Sequence, residues 1–142
     1  MTTIDRNAFS RARFFLTRAE DCSPEERNEF EAYAEACIVF ARAGVLRAKE
    51  KYKIQPTFKS WWDPLHQNTK LEFLRAERNL IVHEAPAKVG QVVSLGGGIT
   101  KASHFYFYET DASGNPIDVL QTLEGWVAEA ETAVAQAEVM FP

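Results

Sequence analysis

The chain is predicted to be mainly α-helical: an antiparallel up-down four-helix bundle with a β-hairpin inserted at about residues 90–110, before the last helix. Three observations predict it. Apolar residues recur at intervals of three and four over four long stretches, which is the period of a helix with one buried face. Helix-start signals stand at Ser23-Pro24, Asp63-Pro64 and Asp118. The helical period fails between Pro86 and Pro116, where two runs rich in β-branched and aromatic residues flank Gly96-Gly97-Gly98.

The first helix is read from Ile4 to about Asp21, with Ala8, Ala12, Phe15, Leu16 and Ala19 on its apolar face and Arg11, Arg13 and Arg18 between them. Ser23 can cap the second helix, Pro24 suits its first position, and Glu26 can reach back to close a capping box. Phe30, Tyr33, Ala34, Cys37, Ile38, Ala41, Val45 and Ala48 then hold one face to near Lys51. Phe58, Trp61 and Trp62 fall in a connector, where their bulk would plug one end of the bundle. The third long helix is expected from about Leu65, capped by Asp63, to Glu84, and Pro86 stops it. Residues 91–95 and 104–108 read as the two strands of the hairpin, and Gly114-Asn115-Pro116 as a turn. Asp118 caps the last helix, whose stripe is Val119, Leu123, Trp126, Ala130, Val134, Ala137 and Phe141.

The bulk properties bound the function. With 142 residues the chain suits one domain, taken as residues 1–142. Its 46% hydrophobic and 25% charged residues suit a folded protein rather than a disordered one. Cys22 and Cys37 lack metal-ligand spacing, and a framework of disulfides is not expected, so the natural setting is a reducing cytoplasm. The first residues, Met1-Thr2-Thr3-Ile4-Asp5, show no apolar run of the kind that directs secretion, and no stretch reads as a membrane span. A formal net charge of −4 argues against a broad basic surface for nucleic acid, but a local basic groove remains compatible with it.

The segment from Leu74 to Glu84 carries the sharpest chemistry. Asn79 and His83 are four apart and so share a helix face. Arg78 is long enough to swing toward them. A guanidinium, an amide and an imidazole converging on one patch suit a phosphate ester: arginine grips phosphate through parallel hydrogen bonds, and histidine moves protons near neutral pH. His83 also falls in the last turn of its helix, where the helix dipole favours a protonated ring. On spacing alone, the favoured reading is an ordinary solvated face, with Glu77 and Glu84 as ion partners and Asn79 a solvent-facing amide.

Arg78, Asn79 and His83, near the end of the third main helix of a bundle, resemble the motif of the HEPN family, whose hallmark is an arginine, a polar residue and a histidine after a short gap. The architectural resemblance covers most of the chain; the motif covers only Arg78 to His83. The resemblance implies a metal-independent endoribonuclease of toxin–antitoxin, defence or RNA-processing type. It implies a homodimer with facing motifs, RNA or a nucleotide as ligand, an antitoxin as partner, and no cofactor. Carried over, Arg78 would stabilise the scissile phosphate, His83 would move a proton as the 2′-hydroxyl attacks, and Asn79 would orient both. Many members of the family are silent and only bind nucleotides or proteins, which is the alternative for this chain.

Other candidates are supporting ones. Arg75, one turn before Arg78, joins the substrate-binding set. Arg42, Arg47, Lys49, Lys51, Lys53 and Lys59 form a basic stretch that either tracks an RNA backbone or is a solvated helix end; Lys49, Lys51 and Lys53 are its candidate contacts. Glu31 and Glu35 either face the motif helix and tune Arg78 or face solvent. His66 and His83 are too isolated to suggest a metal site, and the glycine triplet lacks the lysine of a phosphate loop. His104 and the aromatics from Phe105 to Tyr108 either stack bases or pack on a core or second subunit.

Overall fold

The computed structural model describes residues 7–83, 89–91, 105–110, 113–114 and 116–142. They form a mainly helical bundle with a small sheet. In chain order the elements are α1 (Ala8–Glu20), α2 (Arg27–Tyr52), α3 (Phe58–Leu65), α4 (Thr69–His83), β1 (Val89–Gln91), β2 (Phe105–Thr110), β3 (Pro116–Asp118) and α5 (Val119–Met140).

Local chemistry sets the helix ends. Asn7 caps α1, its Oδ1 accepting from the amides of Phe9 at 2.8 Å and Ser10 at 3.3 Å. Before α2 only half of the expected capping box forms: the Ser23 amide donates to Glu26 Oε1 at 3.0 Å, and the helix itself begins at Arg27. Asp118 caps α5 as expected, accepting from the Gln121 amide at 2.8 Å.

α2 lies at the centre and packs against α1, α4 and α5. Phe9 meets Gly44, and Phe15 stacks on Tyr33 and Phe40, so α1 runs antiparallel to α2. Tyr52 meets Phe141, and Ala48 joins the same cluster as Ala137, so α5 runs parallel to α2. The main core gathers Leu16 of α1, Phe30, Ile38 and Val45 of α2, Leu71 and Leu74 of α4, and Leu123, Trp126 and Val127 of α5. A second cluster of Ala48, Tyr52, Trp61, Ala137 and Phe141 closes one end. Burying such side chains is the main driving force for assembly, at about 1.5–3 kcal/mol for each large one. Arg13 pairs with Glu131, fastening α1 to α5 at the surface.

The structure departs from the expected elements in three places. The connector holding Trp61 and Trp62 is a helix of its own, α3. Asp63-Pro64 does not start the third long helix: Pro64 lies in the last turn of α3, where it removes the bond its amide would make to the Ser60 carbonyl and helps to stop the helix. The start falls at Thr69 instead of Leu65, and Asn68 supplies the cap, its Oδ1 accepting from the Leu71 amide at 3.2 Å. The third departure is the two-stranded hairpin. A three-stranded antiparallel sheet of order β1-β2-β3 stands there, pairing Gly90 with Tyr106 and Phe107 with Ile117. Its third strand uses the segment expected to be only a turn and a cap. Gly114, at φ 80°, turns the chain, and Pro116 opens β3 at a sheet edge, where a residue without an amide is tolerated. The expected turn at Gly96-Gly97-Gly98, most of the strand at 91–95 and His104 lie outside the described residues.

Candidate functional site

The site grows from the face that α2 turns toward α3 and α4. The stripe Ile38, Ala41, Val45 points α2 into the core. Arg42 belongs to that same face by spacing, and it is only 9% exposed. Lys49 follows seven residues later, two turns on, so it projects the same way. Both meet one ring: the Arg42 guanidinium lies 5.9 Å from the centre of Trp62, and Lys49 Nζ lies 5.1 Å from it. Cations over an indole face are attracted by its quadrupole.

Trp62 is held from its own side of the fold. Phe58 stacks against it with centroids 5.8 Å apart, and His66 approaches edge-on at 5.2 Å. His66 Nδ1 stands 3.3 Å from Glu72 Oε1. Glu72 in turn grips Arg75, whose Nε and Nη2 donate to Oε2 at 3.2 and 2.9 Å. The Arg75 hydrogen bonds, seconded by His66, hold the Glu72 carboxyl below the usual carboxylate range.

Three arginines therefore share one electrostatic neighbourhood. The Arg42 guanidinium is pushed toward giving up its proton, first by burial, then by Arg75 and, less strongly, Arg78; Glu72 opposes them. Arg78 is half-buried and lies on the same side of α4 as Arg75. Among the described residues no hydrogen bond or ion pair reaches Arg42. Among the described residues the positive charge of Arg42, Arg75, Arg78 and Lys49 exceeds the negative charge of Glu72 and Glu35, and such a face attracts anions. Glu35, half-buried and two turns before Arg42 on α2, is a second acid of that face.

The structure sorts the predicted residues. Arg75, Arg78 and Lys49 come together around Arg42 and Trp62. Asn79 and His83 lie on α4, His83 as its last residue; their side chains are outside the described set. Lys51 goes elsewhere: its Nζ sits 5.2 Å from the Tyr52 ring, and it lines a cavity of about 200 Å³ with Phe9, Gly44 and Glu138. Lys53 pairs with Glu50 at 2.6 Å. Glu31 pairs with Arg27 at 3.2 Å on its own helix. Arg42 and Trp62 are the residues that sequence reasoning undervalued. The signal was an arginine at core spacing, within the stripe of Ile38 and Val45, rather than in a run of neighbouring cations.

No metal chemistry is indicated by side-chain grouping: among the described residues no three of His, Cys, Asp and Glu come together to hold an ion. Cys37 is fully buried, and burial pushes its thiol up to about 12, so it behaves as a small hydrophobe. Cys22 is likewise free of any disulfide. Among the described residues no helix is long and apolar enough to cross a membrane. Comparison with family models, curated proteins and solved structures finds no match, so the chemistry of the cluster itself carries the functional argument.

Proposed function

We propose that this chain is a HEPN-type, metal-independent endoribonuclease that acts as a homodimer in a cytoplasm. The observation that carries the reading is that Arg42 of α2, which lies over Trp62, is in electrostatic reach of Arg75 and Arg78 on the helix that bears the Arg-Asn-x3-His motif. Phosphodiester backbones are bound chiefly through such charge. Arg78 would neutralise the charge that builds on the phosphoryl oxygens during attack. His83 would take the proton of the 2′-hydroxyl as that oxygen bonds to phosphorus. The bond to the 5′ oxygen then breaks, that oxygen gains a proton, and a 2′,3′-cyclic phosphate remains. Asn79, one turn before His83, would orient the pair. The sheet before α5 would serve pairing of protomers or docking of an antitoxin.

A second reading is a non-catalytic nucleotide- or RNA-binding module. It is favoured by the same cluster, because Arg42, Arg75 and Lys49 can hold a phosphate without any help from His83. The test is incubation of mixed RNA with the wild type, Arg78→Ala and His83→Ala in the presence of a chelator. The nuclease reading predicts cleavage by the wild type and at least hundredfold less by either variant. Binding without cleavage by all three folded proteins leaves the module reading in its place.

A further inference from the structure

We infer that Arg42, Arg75 and Arg78, with Lys49 at the rim, form a binding subsite for a single phosphate group, and that the buried Arg42 is its floor. The inference rests on the nucleic-acid reading for what carries the phosphate, but the subsite stands on its own geometry. Arg42 comes from α2, outside the Arg-Asn-x3-His motif, so nothing in that motif assigns it a role.

Arg42 is nine-tenths buried, yet no carboxylate or carbonyl among the described residues receives its donors. Taking a charge out of water without a partner is strongly unfavourable. Its environment worsens the position: two further arginines lie in electrostatic reach, and Glu72, the acid that acts on it, already accepts three hydrogen bonds from Arg75. A buried charge whose neighbours disfavour it, as Arg75 and Arg78 do here, is a candidate for binding an anion. The ring of Trp62 supports Arg42 and Lys49 from below and offers no hydrogen-bond acceptor. Among the described residues Arg42 meets no acceptor, and an anion with several oxygens would supply one. A phosphate supplies three or four, and guanidinium forks match them in pairs.

The phosphate could belong to a free nucleotide or to an oligonucleotide backbone, and both present the same oxygens. Three probes separate them: inorganic phosphate, adenosine monophosphate, and a ten-residue oligodeoxythymidylate, which lacks the 2′-hydroxyl and cannot be cut by its attack. Each is titrated against the thermal midpoint at constant ionic strength, with chloride as the control. A saturable rise of roughly 3–6 °C is expected at a tenfold excess over Kd. Preference for the oligomer assigns the subsite to a backbone; preference for the monophosphate assigns it to a free nucleotide. Arg42→Met is expected to melt at or above the wild-type temperature without ligand, because an unpaired buried charge is gone, and to lose at least tenfold in affinity. Arg42→Lys keeps the charge without the fork and is expected to bind severalfold more weakly, which covers a failure of the first variant to fold. A wild type that none of the three probes stabilises beyond chloride, or an Arg42 variant of undiminished affinity, overturns the subsite. Phosphate binding by a wild type that cuts no RNA would remove the nuclease reading and leave the subsite in place.

Discussion

Trp61 donates its indole hydrogen to the carbonyl oxygen of Ala133 at 2.7 Å, inside the closed end of the bundle. The bond ties α3 to α5 at a residue that is only 3% exposed. Its neighbour Trp62 is thereby fixed as well, and with it the ring beneath Arg42 and Lys49. Trp61→Phe removes the bond and leaves a void where the larger ring was. The expected loss is about 2 kcal/mol, read as a lower urea midpoint at unchanged slope. An unchanged midpoint would mean that α3 is not anchored through this residue.

Gly44 sits in the middle of α2, where alanine would normally stabilise a helix by about 1 kcal/mol. Here a Cβ would run into the ring of Phe9 on α1. Gly44→Ala is therefore expected to destabilise by about 1–2 kcal/mol, against the helix propensity. Adding Phe9→Ala should remove the conflict, so the two substitutions are non-additive in a double-mutant cycle. Simple additivity in chemical denaturation would contradict the close approach of α1 to α2.

Glu72 controls the charge of the candidate site. Its carboxyl is held below its ordinary 4.5 by Arg75 first and His66 after it. A depressed folded value stabilises the native state above the unfolded pKa, and the contribution is lost as pH falls through the folded value. Stability of the wild type should thus decline below about pH 4.5 more steeply than that of Glu72→Gln. At neutral pH the same substitution frees Arg75 and removes a negative charge from the cluster. Oligonucleotide affinity is expected to rise about threefold, as a unit charge some 7 Å away in a watery dielectric dictates. A fall in affinity would place the ligand away from this face.

Much of the helical framework was legible because it depends on local pattern. The stripes of α1, α2 and α5 bury most of the residues their spacing marks, with Phe15, Tyr33 and Val134 only partly buried, and the cap at Asp118 stands where a polar residue precedes an apolar period, whereas Ser23 lies three residues before Glu26, the N-cap of α2. Asp63-Pro64 misled for a physical reason. An acid followed by proline looks the same whether it opens a helix or closes a short one, and only tertiary packing of Trp61 decided for α3. β3 was hidden because three residues cannot show a period of two, and its partner is supplied by β2. The site was half legible. Arg78 stood out by motif, while Arg42 was lost in a run of cations grouped by sequence rather than by helix face. Sorting that run by turns separates Arg42 and Lys49, which meet Trp62, from Lys51, which faces the cavity beside Phe9.

The central claim is that guanidiniums gathered on α2 and α4 serve proton-transfer chemistry by His83 on RNA. The most direct measurement is end-group analysis of RNA incubated with the wild type and with His83→Ala in chelator. The account predicts 2′,3′-cyclic phosphate and 5′-hydroxyl ends from the wild type, and intact RNA from the variant at equal binding. Products ending in 5′-phosphate, or cleavage that survives His83→Ala, would contradict it.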